Sequence, residues 1–311
     1  MFTIIKNNTN FDFMGTKYVW LGISSALILL SIILFFTKGL NYGIDFTGGI
    51  ELQVKFNDPK INSETVRSIM ETVASGDVQV QQFGDNVNNE YLIRVKGTEK
   101  NLTVISKDIE TKLAEKFSKD QYEVRRVDVV GPKVGEELKL SGVYALIWSL
   151  LGIMVYVAIR FEFKYAPGAV ISLIHDVIIT VGFFALIQYQ FTLSTVAALL
   201  TIIGYSINDT IVIYDRIREN APKMKGTPFA TIINRSVNET LSRTILTTAA
   251  TLLAVVALLV LGGGSIRDFS LALTVGIVTG VYSTVFIASP MALFIDSWQE
   301  KKAAAKQQER K

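Results

Sequence analysis

Four ionisable residues stand within or beside long apolar runs, and any chemistry of this chain has to involve them. His175 and Asp176 lie in the run Ala166 to Phe191, Asp209 interrupts Thr192 to Tyr214, and Arg243 immediately precedes the uncharged run Thr244 to Gly264. An ionised carboxylate in hydrocarbon costs roughly 3 kcal/mol or more, so each aspartate needs a partner, water or a proton. The chemistry this suggests is reversible protonation. Asp209 sits one to two turns inside a charged boundary that begins at Asp215 and Arg216. Antiparallel neighbouring helices would bring Arg243 to a similar depth, where a guanidinium could hold the carboxylate ionised until a proton arrives. A permanent salt bridge tying two helices together, with Arg243 snorkelling to the interface, fits the same spacing.

Adjacent helical residues diverge by about 100°, which predicts different targets for His175 and Asp176. A neutral imidazole can accept and donate protons in series, although a lone histidine more often satisfies a buried hydrogen bond. Asn208 reads most simply as an interhelical hydrogen-bonding residue. Other chemistries are excluded by composition. There is no cysteine for a disulfide, a thiol nucleophile or a zinc site, and the single histidine rules out a multi-histidine metal centre. Gly262 to Gly264 precede Ser265 and Ile266, not the Lys and Ser or Thr of a phosphate-binding loop. The expectation is no cofactor, no metal and no nucleotide. The 31 Lys and Arg nearly cancel the 28 Asp and Glu, leaving no field to hold nucleic acid.

The elements that position these residues follow from a mean hydropathy of +0.36 with 19% charged residues, which points to a bilayer. Spanning about 30 Å of hydrocarbon takes roughly 20 apolar residues as helix. Six runs qualify: Tyr18–Thr37, Leu140–Ile159, Ala166–Phe191, Thr192–Tyr214, Thr244–Gly264 and Phe269–Ile295. Basic residues of short loops resist translocation. Lys6 and Lys17, Arg160 and Lys164, Arg216 to Arg235, and Lys301 to Lys311 then lie on one side, so both termini are expected in the cytoplasm. The first span, bounded by Lys17 and Lys38, ends in Ile33, Leu34, Phe35 and Phe36, which fits an uncleaved anchor after a cytoplasmic segment 1–17.

Residues 38–139 fall on the opposite side and change pattern. Ile50–Phe56, Val78–Phe83, Tyr91–Lys96 and Tyr122–Val130 read as strands, and Ser63–Ala74 and Leu102–Phe117 as helices. The order β-α-β-β-α-β predicts a ferredoxin-like α+β domain between spans one and two of a six-helix membrane protein. Within the bundle, 140–295, Thr227 and Pro228 start an amphipathic stretch near 227–241, expected as an interfacial helix or as a helix capping the bundle. Gly276 and Gly280 have small-xxx-small spacing, best explained by packing, and Pro290 is placed to kink the last span before a tail at 296–311.

Three strings carry more than periodicity: Tyr42-Gly43-Ile44-Asp45-Phe46-Thr47-Gly48-Gly49, Ser206-Ile207-Asn208-Asp209-Thr210 continuing to Asp215-Arg216-Ile217-Arg218-Glu219-Asn220, and Ser242-Arg243-Thr244. Together with one span, an external domain and five spans, they resemble the SecD/SecF family of bacterial export subunits, one half of an RND-type transporter. The resemblance implies a non-enzymatic subunit of the bacterial inner membrane that uses the proton gradient to assist preprotein export. It implies SecD as partner, the SecYEG channel with YajC and YidC, and unfolded preprotein as cargo. It also implies that Asp209 and Arg243 match the carboxylate and arginine of a proton pathway. A small-molecule exporter subunit and a passive assembly scaffold remain open as alternatives.

Overall fold

Backbone groups in lipid must be satisfied within their own segment, which makes each apolar run a helix. The computed structural model describes residues 9–71, 78–83, 89–95, 102–118, 120–161 and 164–308. Among these, six helical stretches are long and apolar enough to cross a membrane. They are α1 (Lys17–Thr37), α5 (Pro132–Arg160), α6 (Ala166–Ile187), α7 (Leu193–Asn220), α8 (Phe229–Leu261), and α9 (Gly264–Ser283), which a π-helical turn (Thr284–Ala288) joins to α10 (Ser289–Gln308). Val73 and Lys96 of the expected external elements, and Lys6, Arg310 and Lys311 of the expected cytoplasmic ends, lie outside the described residues.

Between α1 and α5, the short α2 (Ile44–Thr47) leads into β1 (Gly49–Phe56), α3 (Ser63–Glu71), β2 (Val78–Phe83), β3 (Glu90–Val95), α4 (Leu102–Lys116) and β4 (Tyr122–Val130). The sheet is antiparallel in the order β2-β3-β1-β4, with Leu52 of β1 between Ile93 and Val127. That is the ferredoxin-like arrangement. Alternation along β1 places Ile50, Leu52 and Val54 on one face, where they are fully buried with Val66 and Met70 of α3 and Ile109 and Leu113 of α4.

The bundle departs from the expected boundaries for identifiable reasons. α5 starts with Pro132 at its first position, eight residues before the apolar run, because Gly131 and Pro132 suit a helix start better than mid-span residues do. Residues 229–241 are the first turns of α8, not a separate interfacial helix. No Gly or Pro interrupts Phe229–Leu261, and Ile232, Ile233 and Val237 pack with Tyr214 and Ile217 inside the bundle instead of facing lipid. Arg267 and Asp268, which separate the apolar runs Thr244–Gly264 and Phe269–Ile295, belong to the first turns of α9 and not to a connecting loop. Near Pro290, whose missing N–H frees a carbonyl one turn earlier, the helix widens into the π-turn. Ser289 Oγ donates to Thr284 O at 3.0 Å and Tyr214 Oη to Ala288 O at 3.0 Å, satisfying carbonyls of that turn.

A cysteine placed at exposed Lys116 of α4 should react with an impermeant thiol reagent added outside intact cells, and one at exposed Lys223, between α7 and α8, should react only after permeabilisation. The opposite pattern would overturn the assignment of sides made from the loop charges.

Candidate functional site

Close helix approach builds the centre of the bundle. A Cβ at Gly276 would run into the Ile202 side chain, and one at Gly280 would lie 3.0 Å from Ser206 Oγ, so the two glycines let α9 lie against α7. This brings two serines to α6. Asp176, fully buried, accepts Ser206 Oγ at 2.7 Å and Ser283 Oγ at 2.8 Å through Oδ2, while His175 Nδ1 lies 3.0 Å from Oδ1. The side chains of His175 and Asp176 therefore touch each other, and beyond that contact they face different neighbours. The His175 ring lies 5.9 Å from that of Tyr282, whose hydroxyl donates to Trp20 O of α1 at 2.8 Å, and His175 Nε2 makes no hydrogen bond with the described residues.

Asp209 is placed by the register of α7 against α8. Tyr205 Oη donates to Thr251 Oγ at 3.2 Å, and Asn220 Nδ2 to Ser236 Oγ at 3.1 Å. One turn beyond Tyr205, Asp209 then meets α8 near Thr247 and Thr248, and Arg243 lies about 6 Å further toward the N-terminal end of α8. Asp209 is buried and Arg243 exposed. Within the described residues they form neither a hydrogen bond nor a closed ion pair, although the guanidinium is near enough to act on the carboxylate through space. Thr244 and Thr248 are buried alongside with hydroxyls that make no hydrogen bond. Their signal in the sequence is the run of threonines at 244, 247, 248 and 251 following Arg243.

Asn208 does not join helices: it is exposed and makes no hydrogen bond with the described residues. It belongs to an outward stripe of α7, with Ala197, Thr201 and Gly204, and α8 presents Arg243, Thr247, Ala250, Ala254 and Ala257, all exposed. Below them, Arg216 pairs with Glu239 at 2.6 Å and Glu219 at 2.8 Å, and Asp215 approaches Arg218 at 3.5 Å and Arg160 at 3.9 Å. Such half-exposed pairs contribute at most about 1 kcal/mol each, so the cluster orients helix ends more than it stabilises them.

The glycine-rich motif after α1 is a junction. Tyr42 pairs with Phe191, and Gly43 N donates to Phe191 O at 2.9 Å. Asp45 Oδ2 accepts Leu193 N at 2.8 Å in the first turn of α7. Gly48 has φ +73°, and a Cβ there would stand 2.7 Å from Pro132 Cα; Gly49 opens β1 opposite Val130. The motif thus joins β1, the start of α5 and the N-terminal end of α7. At that end of the bundle, burial and then the nearby charge of Asp268 raise the Tyr189 phenol above its ordinary pKa. No three His, Asp or Glu side chains among the described residues converge as metal ligands.

Residues 109–298 match the family model for the C-terminal part of the protein export membrane proteins SecD/SecF, and residues 33–60 match the SecD/SecF GG motif. The chain is 44% identical over 301 residues to protein translocase subunit SecF of Calditerrivibrio nitroreducens, covering 96% of this chain and 98% of that one. It is 45% identical over 301 residues to the same-named subunit of Magnetococcus marinus, covering 96% of each. The crystal structure of SecDF, a translocon-associated membrane protein from Thermus thermophilus, superposes with a TM-score of 0.80 at 35% identity. That match covers 96% of this chain and 40% of the SecDF chain. A SecDF structure in a super-membrane-facing form gives a TM-score of 0.71, covering 98% of this chain and 41% of that one. This chain therefore spans less than half the length of the SecDF chains.

Gly276→Val should force α9 from Ile202 and so draw Ser283 away from Asp176. The expected cost is about 1–3 kcal/mol, read as a lowered unfolding midpoint in detergent. An unchanged midpoint would contradict the tight α7–α9 contact.

Proposed function

The chain belongs to the SecF family of protein translocase subunits, and we propose that it couples the proton gradient to preprotein export through reversible protonation of Asp209. The observation that carries this is a membrane carboxylate that is buried and has no hydrogen-bonded partner among the described residues, with Arg243 near enough to act on it through space. Ionised Asp209 attracts Arg243, and protonation releases it. Each charge crossing 100 mV supplies about 2.3 kcal/mol, comparable to the cost of neutralising a carboxylate in a perturbed environment. That energy suffices to bias two arrangements of α7 against α8. Thr244 and Thr248 supply hydroxyls at the same level. Asp176, already accepting two serine hydroxyls, holds α6, α7 and α9 together, and His175, with Nε2 free, is the member of that group able to exchange a proton.

The outward stripes of α7 and α8 suit a helical partner, because small residues let backbones approach where lipid gives no hydrophobic driving force. A SecD-type bundle is the partner we assign to this face, completing a pathway of which this chain holds one half. The SecYEG channel, YajC and YidC, and an unfolded preprotein are assigned on the family resemblance. The setting is the bacterial inner membrane with both termini cytoplasmic, and the work is mechanical, without an enzymatic step or bound cofactor.

Asp209→Asn preserves size and most hydrogen-bonding capacity while removing the titratable group. Membrane insertion and co-purification with SecD should persist, while stimulation of preprotein release by an imposed gradient should vanish. Arg243→Lys keeps the charge but not the planar fork and should be partly impaired. Wild-type gradient-dependent release in Asp209→Asn would end the proton-coupling assignment and leave the carboxylate a structural role.

Ala250→Phe, on the exposed stripe of α8, should insert and fold but lose SecD on gentle detergent extraction. Retention of SecD at wild-type yield would place the partner on another face.

A further inference from the structure

At the outer end of α7, a second carboxylate meets both the bundle and the external domain. Asp268, buried in the first turns of α9, accepts Tyr189 Oη at 3.0 Å through Oδ1 and Thr192 Oγ at 3.3 Å through Oδ2. Thr192 is the N-cap of α7. Its hydroxyl accepts from the backbone N–H of Thr195 in a reciprocal capping box and donates its own proton to Asp268. From the domain side, Arg94 of β3 lines the same crevice as Asp268 and Tyr189 and lies within electrostatic reach of the carboxylate. Arg94 is fixed by an ion pair with Glu51 of β1 and by donation to Gln81 of β2 at 3.4 Å. Beside it, Gln190 Nε2 donates to Gln79 of β2. Asp45 grips the same helix end through Leu193 N.

We propose that Asp268 is a positioning residue that locks the open face of the domain sheet to the N-terminus of α7, so that the domain and the outer end of α7 move as one body. The delivery of motion from Asp209 to the domain rests on the proton-coupling function above; the lock itself does not. The geometry favours a lock over a hinge. Hydrogen bonds involving Gln79, Gly43, Asp45 and Asp268 converge on the first turn of α7 and the turn before it. Among the described residues, α2 and the start of α5 are also held by tight contacts of Gly48 with Pro132 and of Gly135 with Phe46. A displacement of α7 then has no slack segment in which to be absorbed.

The lock is tested first without any gradient, in the complete chain with its SecD partner. Spin labels at exposed Lys116 of α4 and Ser265 of α9 should give a narrow distance distribution that broadens in Asp268→Ala and, less, in Tyr189→Phe. An unchanged distribution in both variants would overturn the lock. The second arm measures gradient-driven export. Asp268→Asn should lower the stimulation about tenfold, the order expected for loss of a hydrogen bond to a charged group. A short bis-maleimide tether between cysteines at Gln79 and Gln190 should restore it, which a purely local role of Asp268 in folding or proton transfer would not allow. The chain has no other cysteine to interfere. Failure of the tether to restore export, or loss of export on tethering otherwise unsubstituted protein, would overturn the one-body claim. If Asp209→Asn leaves stimulation intact, the coupling function fails while the spin-label arm still decides the lock.

Discussion

A carboxylate surrounded by hydrocarbon has to be neutralised, hydrogen-bonded or paired, and the bundle is organised around two different answers to that demand. Asp176 is answered locally. Two serine hydroxyls and an imidazole surround it, and the helices supplying them are held at bonding distance by Gly276 and Gly280, which remove the side chains that would keep α7 and α9 apart. Asp209 is left without such an answer. Its neighbours Thr244 and Thr248 have hydroxyls that make no hydrogen bond, and its natural counter-ion stands a turn away and outward. A satisfied carboxylate resists change because every displacement breaks bonds, whereas an unsatisfied one has a low cost of changing partner or charge. The first therefore defines a fixed pivot and the second a site that can move against it.

Both answers run through one helix. α7 contributes Ser206 to the Asp176 group, carries Asp209 itself, and begins at Thr192 and Leu193, where Asp45 and Asp268 hold it from two sides. Its inward end is tied to α8 through Asn220 and Arg216. A helix of 28 residues spans about 42 Å, enough to connect the level of Asp209 with the sheet domain at its N-terminal end without an intermediate. The surrounding elements differ in how they meet it: α9 by close packing of glycines, α8 by a sparser set of polar contacts. Movement of α7 relative to α8 is thus less costly than movement relative to α9.

Much of this was legible in the sequence because it rests on periodicity. Alternation located β2 and β4 at Val78–Phe83 and Tyr122–Val130, as found, and the apolar runs located six spans. The helix ends were less legible, since amphipathic turns can continue a membrane helix when their apolar face finds protein instead of lipid, as Ile232 and Ile233 do. At the site, residue types marked Asp176, Asp209 and Arg243 as costly, but not which of them would be satisfied. That depends on Ser206 and Ser283, which stand 30 and 107 residues from Asp176 and carry no local signal. Asn208 misled for a related reason: polarity on a membrane helix indicates a need for a partner, and here the helix turns that need outward. Asp268 passed unnoticed because an acidic residue at the edge of a span looks like a loop charge until Tyr189, Thr192 and Arg94 are seen to converge on it.

The separation of Asp209 from Arg243 also decides what kind of device the pair can be. A closed, buried bidentate pair would hold its proton affinity so low that protonation had to break several kcal/mol of interaction along with its hydrogen bonds, making the ionised state permanent at any ordinary gradient. A carboxylate with no cation nearby would remain neutral and sense nothing. An arginine one turn off, exposed on a face of small residues, lies between these limits: its attraction falls with distance and with the dielectric of whatever covers that face. Covering the face with another helical bundle would remove lipid and water from around Arg243 and strengthen the attraction. On the proposed coupling, the affinity of Asp209 for a proton would be set jointly by this chain and by the surface that packs against it, which is a physical reason for placing the two charges at a helix face that a partner bundle covers.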